Sequence, residues 1–355
     1  MQIDSNERLN WIDAIRSMAI LSVVMCHVVE GSIYTLDFEF MQSVGTLSKW
    51  FAFGAFSIGR IGVPFFLMIS GYLLLDKKYD DTECKRFWKS KCLGLLITTE
   101  FWIVAYEIFS YYFNQGDLSV GSIVRQMLLW KSSSMNHMWY MPMILGMYLT
   151  LPIVANALHT IETKTMPIPY GIIVLCAFGV PTLNVIGQAH GFNVGNSLLS
   201  MGFSGGVYGI YLITGYLLKK GVLKKIPSWI LGVAAGISFA CAFYMQIDAY
   251  GYNIKYNLWY DNLFLLICGI ACFELISRVK NVPGKRIFSK VSKYSFAIYL
   301  VHNPVNLVLK RYTSMLSPRP LRVLVVWGVT LLCSLLISYL INKIPKMGKM
   351  ILYMR

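Results

Sequence analysis

RLNWIDAIRSMAILSVVMCH, residues 8–27, opens an apolar stretch over 11–33. That length crosses a hydrocarbon core of roughly 30 Å as a single helix. Backbone amides have no water to bond in lipid, so a segment of this kind must satisfy them internally, as a helix does. Stretches of the same character recur downstream, at 50–75, 92–113, 138–158, 168–187, 200–218, 228–246, 257–277, 294–313 and 320–342. The expectation is an all-α, polytopic helical bundle of about ten transmembrane helices, a single domain over 1–355 formed by the membrane module alone. The shorter run Ile123 to Trp130, within 114–137, is too short to span and reads as re-entrant or interfacial.

Composition agrees with that reading. Of 355 residues 56% are hydrophobic and only 14% charged, against about 25% charged in ordinary globular domains. A disordered chain, a collagen and a disulfide-dense secreted domain are excluded. The net charge of +15 is not a nucleic-acid footprint, because the basic residues gather at 76–91, 219–225, 278–293 and 343–355, in alternate loops. That alternation is the mark of cytoplasmic loops, and it places both termini in the cytoplasm. The eight cysteines form no CxxC pair and are read as reduced and structural. The first apolar segment lacks a small-residue cleavage site, so it is expected to stay as a helix.

One internal similarity stands out. GVPFFLMISGYLL at 62–74 and GVYGIYLITGYLL at 206–218 agree at 7 of 13 positions at an offset of 144, and each precedes a lysine pair. Two readings remain open, a parallel structural repeat of the transporter kind and convergence on small-residue helix packing.

Ionisable side chains inside a membrane are costly and mark candidate sites. Arg16 and His27 are 11 residues apart, which at 3.6 residues per turn puts them within roughly 20° on one helix face and about 16 Å apart along it. Asp13 and Glu30 stand three residues before the first and after the second, as possible charge partners. An imidazole held by a carboxylate suits a general base near neutral pH. Arg60, Glu100, Glu107, Asp261 and His302 are the other candidates. Glu100 and Glu107 share a face and are placed to line one cavity or to meet Arg60. His137, His159 and His190 fall in expected loops and read as solvated, with His137 beside Trp139 and Tyr140 able to face a sugar. No metal is expected, since no His or Cys pair has ligand spacing, and no GxSxG elbow, Walker loop or dinucleotide fingerprint is present.

Four stretches carry a family likeness: RLNWIDAIRSMAILSVVMCH, RIGVPFFLMISGYLL (60–74), HMWYMPMILGMYLTLP (137–152) and YSFAIYLVH (294–302). Together they resemble the membrane acyltransferase-3 family over nearly the whole chain, and the most specific feature is an Arg, ten residues and a His on the first span, as in Arg16 to His27. The resemblance implies an integral-membrane O-acyltransferase that moves an acyl group, usually acetyl, from cytoplasmic acyl-CoA to a hydroxyl of a surface glycan or lipid-linked saccharide. It implies Arg16 and His27 as the essential pair and Arg60 as part of the second-span signature, and Glu30 joins them as the charge partner that helical spacing gives His27. Donor contacts then fall to Arg16, Arg86, Lys89 and Lys91, and acceptor contacts to Trp139, Tyr140 and His302. An RxxR pair common in the family reads Lys91-Cys92-Leu93-Gly94 here, so its second cation is absent. A transporter of a glycan or small polar solute with the same fold is the alternative.

Overall fold

The computed structural model describes residues 10–30, 34, 38–114, 118–195, 206–317 and 319–354, and every regular element among them is helical. In chain order these are α1 (Asn10–Val28), α2 (Phe38–Gln42), α3 (Thr46–Arg60), α4 (Gly62–Leu74), α5 (Asp81–Phe87), α6 (Leu93–Asn114), α7 (Val120–Met127) and α8 (Tyr140–Leu158). They continue with α9 (Pro167–Val174), α10 (Val180–His190), α11 (Gly206–Lys219), α12 (Ser228–Gly251), α13 (Leu263–Ser277), α14 (Lys285–Tyr312), α15 (Arg319–Asn342) and α16 (Met347–Ile351). Wide π turns at Trp88–Cys92 and Leu175–Gly179 join α5 to α6 and α9 to α10.

Each of the ten expected stretches overlaps a described helix, and seven of the described helical runs are long and apolar enough to cross a membrane. The three others fall short for separate reasons. Leu263–Ser277 has only 15 residues, because the expected eighth span loses 257–262 to a loop that contains Asp261. The described part of the sixth stretch, Gly206–Lys219, has 14 residues, and residues 200–205 lie outside the described set. The helix over 285–312 is long enough, yet its first turns carry Lys285, Arg286, Lys290 and Lys293. The protein is a multi-pass membrane protein, and its lipid-facing chemistry is visible on α15. There Leu324, Leu332, Leu336 and Leu340 are exposed while Thr330, Ser334 and Ser338 are fully buried, the reverse of a water-soluble helix.

The chain divides into two compact units, one of residues 1–73 and 162–295, the other of 74–161 and 296–355. In the first, α1 is the central helix. Trp11 packs edge-on against Tyr72 at 5.0 Å and Phe273 at 5.7 Å, and Ser292 donates to the buried Asp13 carboxylate at 2.6 Å. Pro64 has no N–H for residue 60 and its ring crowds that carbonyl, so the helix breaks at Ile61 between α3 and α4. Arg278 closes the far end, donating to the Leu223 and Ile226 carbonyls at 2.8 and 2.7 Å and to Glu274 at 2.9 Å. The glycines of the internal similarity meet here: a Cβ on Gly71 would overlap the carbonyl oxygen of Leu212, and one on Gly215 that of Met68. Leu212 is Met68 advanced by 144, so the repeated segments cross each other reciprocally at their small residues.

In the second unit α5 starts with a capping box in which Asp80 accepts from the Glu83 amide at 2.7 Å and Glu83 accepts from Asp80 at 3.2 Å. The tail does not hang free. Trp102 donates to Ile351 at 2.8 Å and Tyr353 to the Lys91 carbonyl at 3.1 Å. The run Val120–Met127 is a short amphipathic helix whose Gln126 faces inward to Glu107 at 2.9 Å. Val120 and Val124 are exposed on the helix, and Leu128 and Trp130 just beyond it.

Candidate active site

Arg60 is a buried, bonded charge at the end of α3. Gly59 stands where a Cβ would come within 2.7 Å of the Cys26 backbone, so α3 presses onto the last turn of α1 and carries the arginine with it. The guanidinium is enclosed, at 2% exposure. It donates to Glu30 Oε1 at 3.3 Å and to the Tyr260 hydroxyl at 3.3 Å. Its carbon lies 4.4 Å from the Trp259 ring centroid and 4.5 Å from that of Phe56, a stacking that a planar, weakly hydrated cation favours. The Glu30 side chain keeps 37% of its surface exposed and is fixed by a partner that helical spacing did not indicate.

His27 and Arg16 are half-buried on α1. His27 occupies the last turn, next to Cys26, whose thiol approaches Glu30 Oε2 at 4.0 Å. The structure thus assembles Glu30 and Arg60 beside the end of the helix that bears His27, and keeps Arg16 toward its start, near the buried Asp13. Glu107 bonds Gln126, which corrects the expectation that it meets Arg60.

In the second unit, a cleft of about 550 Å³ is lined by Leu74, Lys77, Lys78, Tyr79, Glu83, Arg86, Phe87, Ser90 and Lys91. Of the donor residues expected from sequence, Arg86 and Lys91 line it. Lys89 does not, and it is exposed. The reason is periodicity: positions 83, 86, 87, 90 and 91 recur on one helical stripe, and 89 falls off it. Lys77 and Lys78 come from the preceding turn and were not singled out. Asn156 clamps that turn, accepting from the Tyr79 amide at 2.9 Å and donating to its carbonyl at 2.7 Å. Burial pushes the Tyr79 phenol up to about 12, so it stays a neutral donor to the Leu74 carbonyl at 3.1 Å. Four cations around an aromatic floor suit a ligand with phosphate groups and a flat ring.

Two histidines depart from expectation. His137, read as solvated, is 1% exposed, and His302, read as an acceptor contact, is fully enclosed. His137 Nδ1 accepts from the Asn303 amide at 2.9 Å, which leaves Nε2–H to meet the Tyr106 hydroxyl at 3.3 Å. Tyr299 donates to the His137 carbonyl at 2.6 Å, and Tyr106 donates to the Leu300 carbonyl. His302 Nδ1 donates to the Tyr299 carbonyl at 2.7 Å. The two imidazoles lie edge to face at 5.1 Å. Sequence spacing within one element had no access to this cluster, because its members come from α6, the turn at Asn136–Trp139 and α14. Trp139 and Tyr140 are half-buried next to it. His190, also read as solvated, is paired with Asp248 at 3.0 Å. Among the described residues no three His, Cys, Asp or Glu side chains gather as a metal set.

Residues 9–341 match the family model described as an acyltransferase domain. No curated protein and no solved structure matches the chain.

Proposed function

The chain belongs to the acyltransferase-3 family, and from that premise we propose that it carries an acyl group, acetyl in the first instance, from cytoplasmic acyl-CoA to a hydroxyl of an extracytoplasmic glycan or lipid-linked saccharide. It acts as one transmembrane domain of the plasma or inner membrane with both termini inside. The observation that carries the donor assignment is the cationic cleft of Lys77, Lys78, Arg86 and Lys91, whose charges and aromatic floor suit the phosphates and adenine of CoA. Arg16 is the cation of the proposed essential pair on α1, and Trp139 and Tyr140 offer rings to the acceptor.

His27 is the general base. It takes the proton of the acceptor hydroxyl as that oxygen attacks the thioester carbonyl. The tetrahedral intermediate then collapses, the C–S bond breaks, and the CoA sulfur leaves with the proton returned by the imidazolium. Glu30, oriented by Arg60, favours the cationic imidazolium next to it. Arg60 itself is a positioning residue, since it is enclosed against Phe56, Trp259 and Tyr260 and bonds Glu30 and Tyr260. The transport alternative drew on the 62–74 and 206–218 similarity, and reciprocal glycine packing accounts for that similarity without a transport cycle.

Calorimetric titration of acetyl-CoA into the detergent-purified chain tests this reading. The wild type is expected to bind saturably. Arg86→Ala with Lys91→Ala should weaken binding by about 10-fold or more, as loss of charge-assisted bonds to phosphate does, whereas Lys89→Ala should stay within about twofold. Absence of saturable binding in the wild type, or an unaffected double variant, overturns the donor assignment.

A further inference from the structure

The loop between α12 and α13, over 252–262, places Trp259 and Tyr260 against Arg60, the partner of Glu30, and carries Asp261 as the next residue, near Tyr208, all within the first unit. Arg60 Nε is buried with no acceptor among the described residues, so the guanidinium is held by its flanking rings and by two bonds only. What it holds is accessible. Trp259 is 40% exposed, the Glu30 carboxylate 37%, and Asp261 and Tyr208 are half-buried. Trp259 and Tyr208 both approach Tyr260, at 5.1 and 6.0 Å between centroids. A buried charge therefore braces a surface indole and a surface carboxylate in fixed relation.

We infer that Trp259, Glu30 and Asp261 form a subsite for an uncharged pyranose unit, with Arg60 as its positioning residue. The inference rests on the proposed acyl transfer to a saccharide and locates part of that acceptor. An indole offers a flat apolar surface to the C–H face of a sugar, and each carboxylate accepts hydroxyl protons. The charge pattern selects among ligands. A cation would meet the guanidinium that already fills the ring cage, and a phosphate would meet two carboxylates, so a neutral polyol is the class that fits. Preformed geometry lowers the ordering cost of a weak ligand.

The competing account is that Trp259 only anchors the chain at the membrane surface, as interfacial tryptophans do. Saturation-transfer NMR on the full chain in lipid nanodiscs separates the two, with methyl glucoside, galactoside, mannoside and N-acetylglucosaminide as probes and choline and inorganic phosphate as controls. At least one glycoside should receive saturation from the wild type. Its affinity should fall about fivefold to tenfold in Trp259→Ala and be largely kept in Trp259→Phe. Asp261→Asn provides a second variant that retains shape, with a loss of similar size expected. Silence from all four glycosides, saturation of choline instead, or an unaltered glycoside signal in both Trp259→Ala and Asp261→Asn overturns the subsite. Acetyl-CoA titrated into the same samples keeps the two ideas apart. Glycoside binding without donor binding supports the subsite and removes the acyltransfer reading, whereas donor binding without glycoside binding removes the subsite alone.

Discussion

Replacing His27 with alanine is expected to lower acyl transfer by about 10²- to 10⁴-fold, the range a positioned general base supplies, with the loss in kcat. His27→Asn should lose as much, because asparagine keeps a polar side chain of similar reach and has no titratable nitrogen. That comparison separates chemistry from packing. The imidazole is half-buried in the last turn of α1, so truncation opens no closed cavity, and a stability change of about 1 kcal/mol or less is expected. An Asn variant that retains wild-type kcat would remove His27 from the reaction. A drop confined to KM would recast it as a binding group. In the proposed mechanism the carboxylate that supports this base is Glu30, which is tied to Arg60 at 3.3 Å.

How much of this was legible follows from the range of each interaction. Apolar runs announce helices because membrane insertion is decided segment by segment, so each expected stretch overlaps a described helix. The break at Ile61 follows from Pro64. Lys89 falls off the stripe of 83, 86, 87, 90 and 91 that lines the cleft, but its i,i+3 spacing from Arg86 gave no sign of that. Arg60 was visible as an intramembrane charge, yet its partners stand 30 and 200 residues away in sequence, and no local pattern encodes such pairs. The burial of His137 was hidden for the same reason, since its bonds run to Tyr106 and Asn303. The turn that holds it reads as an ordinary polar loop, and only the aromatic residues around it hinted at enclosure. The internal similarity was legible as a pattern and ambiguous as a cause until the two glycines were found at one crossing.

That crossing yields the largest structural effect expected here. Valine at Gly71 would drive its Cβ into the Leu212 carbonyl, and valine at Gly215 would do the same to Met68. The obstacle in each case is helix backbone, which cannot rotate aside as a side chain can, so α4 and α11 must separate. Overpacked cores lose about 1–3 kcal/mol when neighbours can adjust, and a rigid neighbour puts these variants at or above the upper end. For a chain of this size that is a fall on the order of 10 °C in Tm, with monodisperse protein lost on size-exclusion. Gly232→Ala and Gly236→Ala are the controls, since nothing lies within 4 Å of an added Cβ at either position and alanine favours the helix by about 1 kcal/mol. The decisive measurement is the pair of alanine variants and their combination. If both glycines serve one contact, Gly71→Ala and Gly215→Ala each force the helices apart, and the double variant costs less than the sum, with a coupling of about 0.5–3 kcal/mol. Additive losses would mean that the two positions pack independently, and the repeated segments would then require an explanation other than a shared crossing.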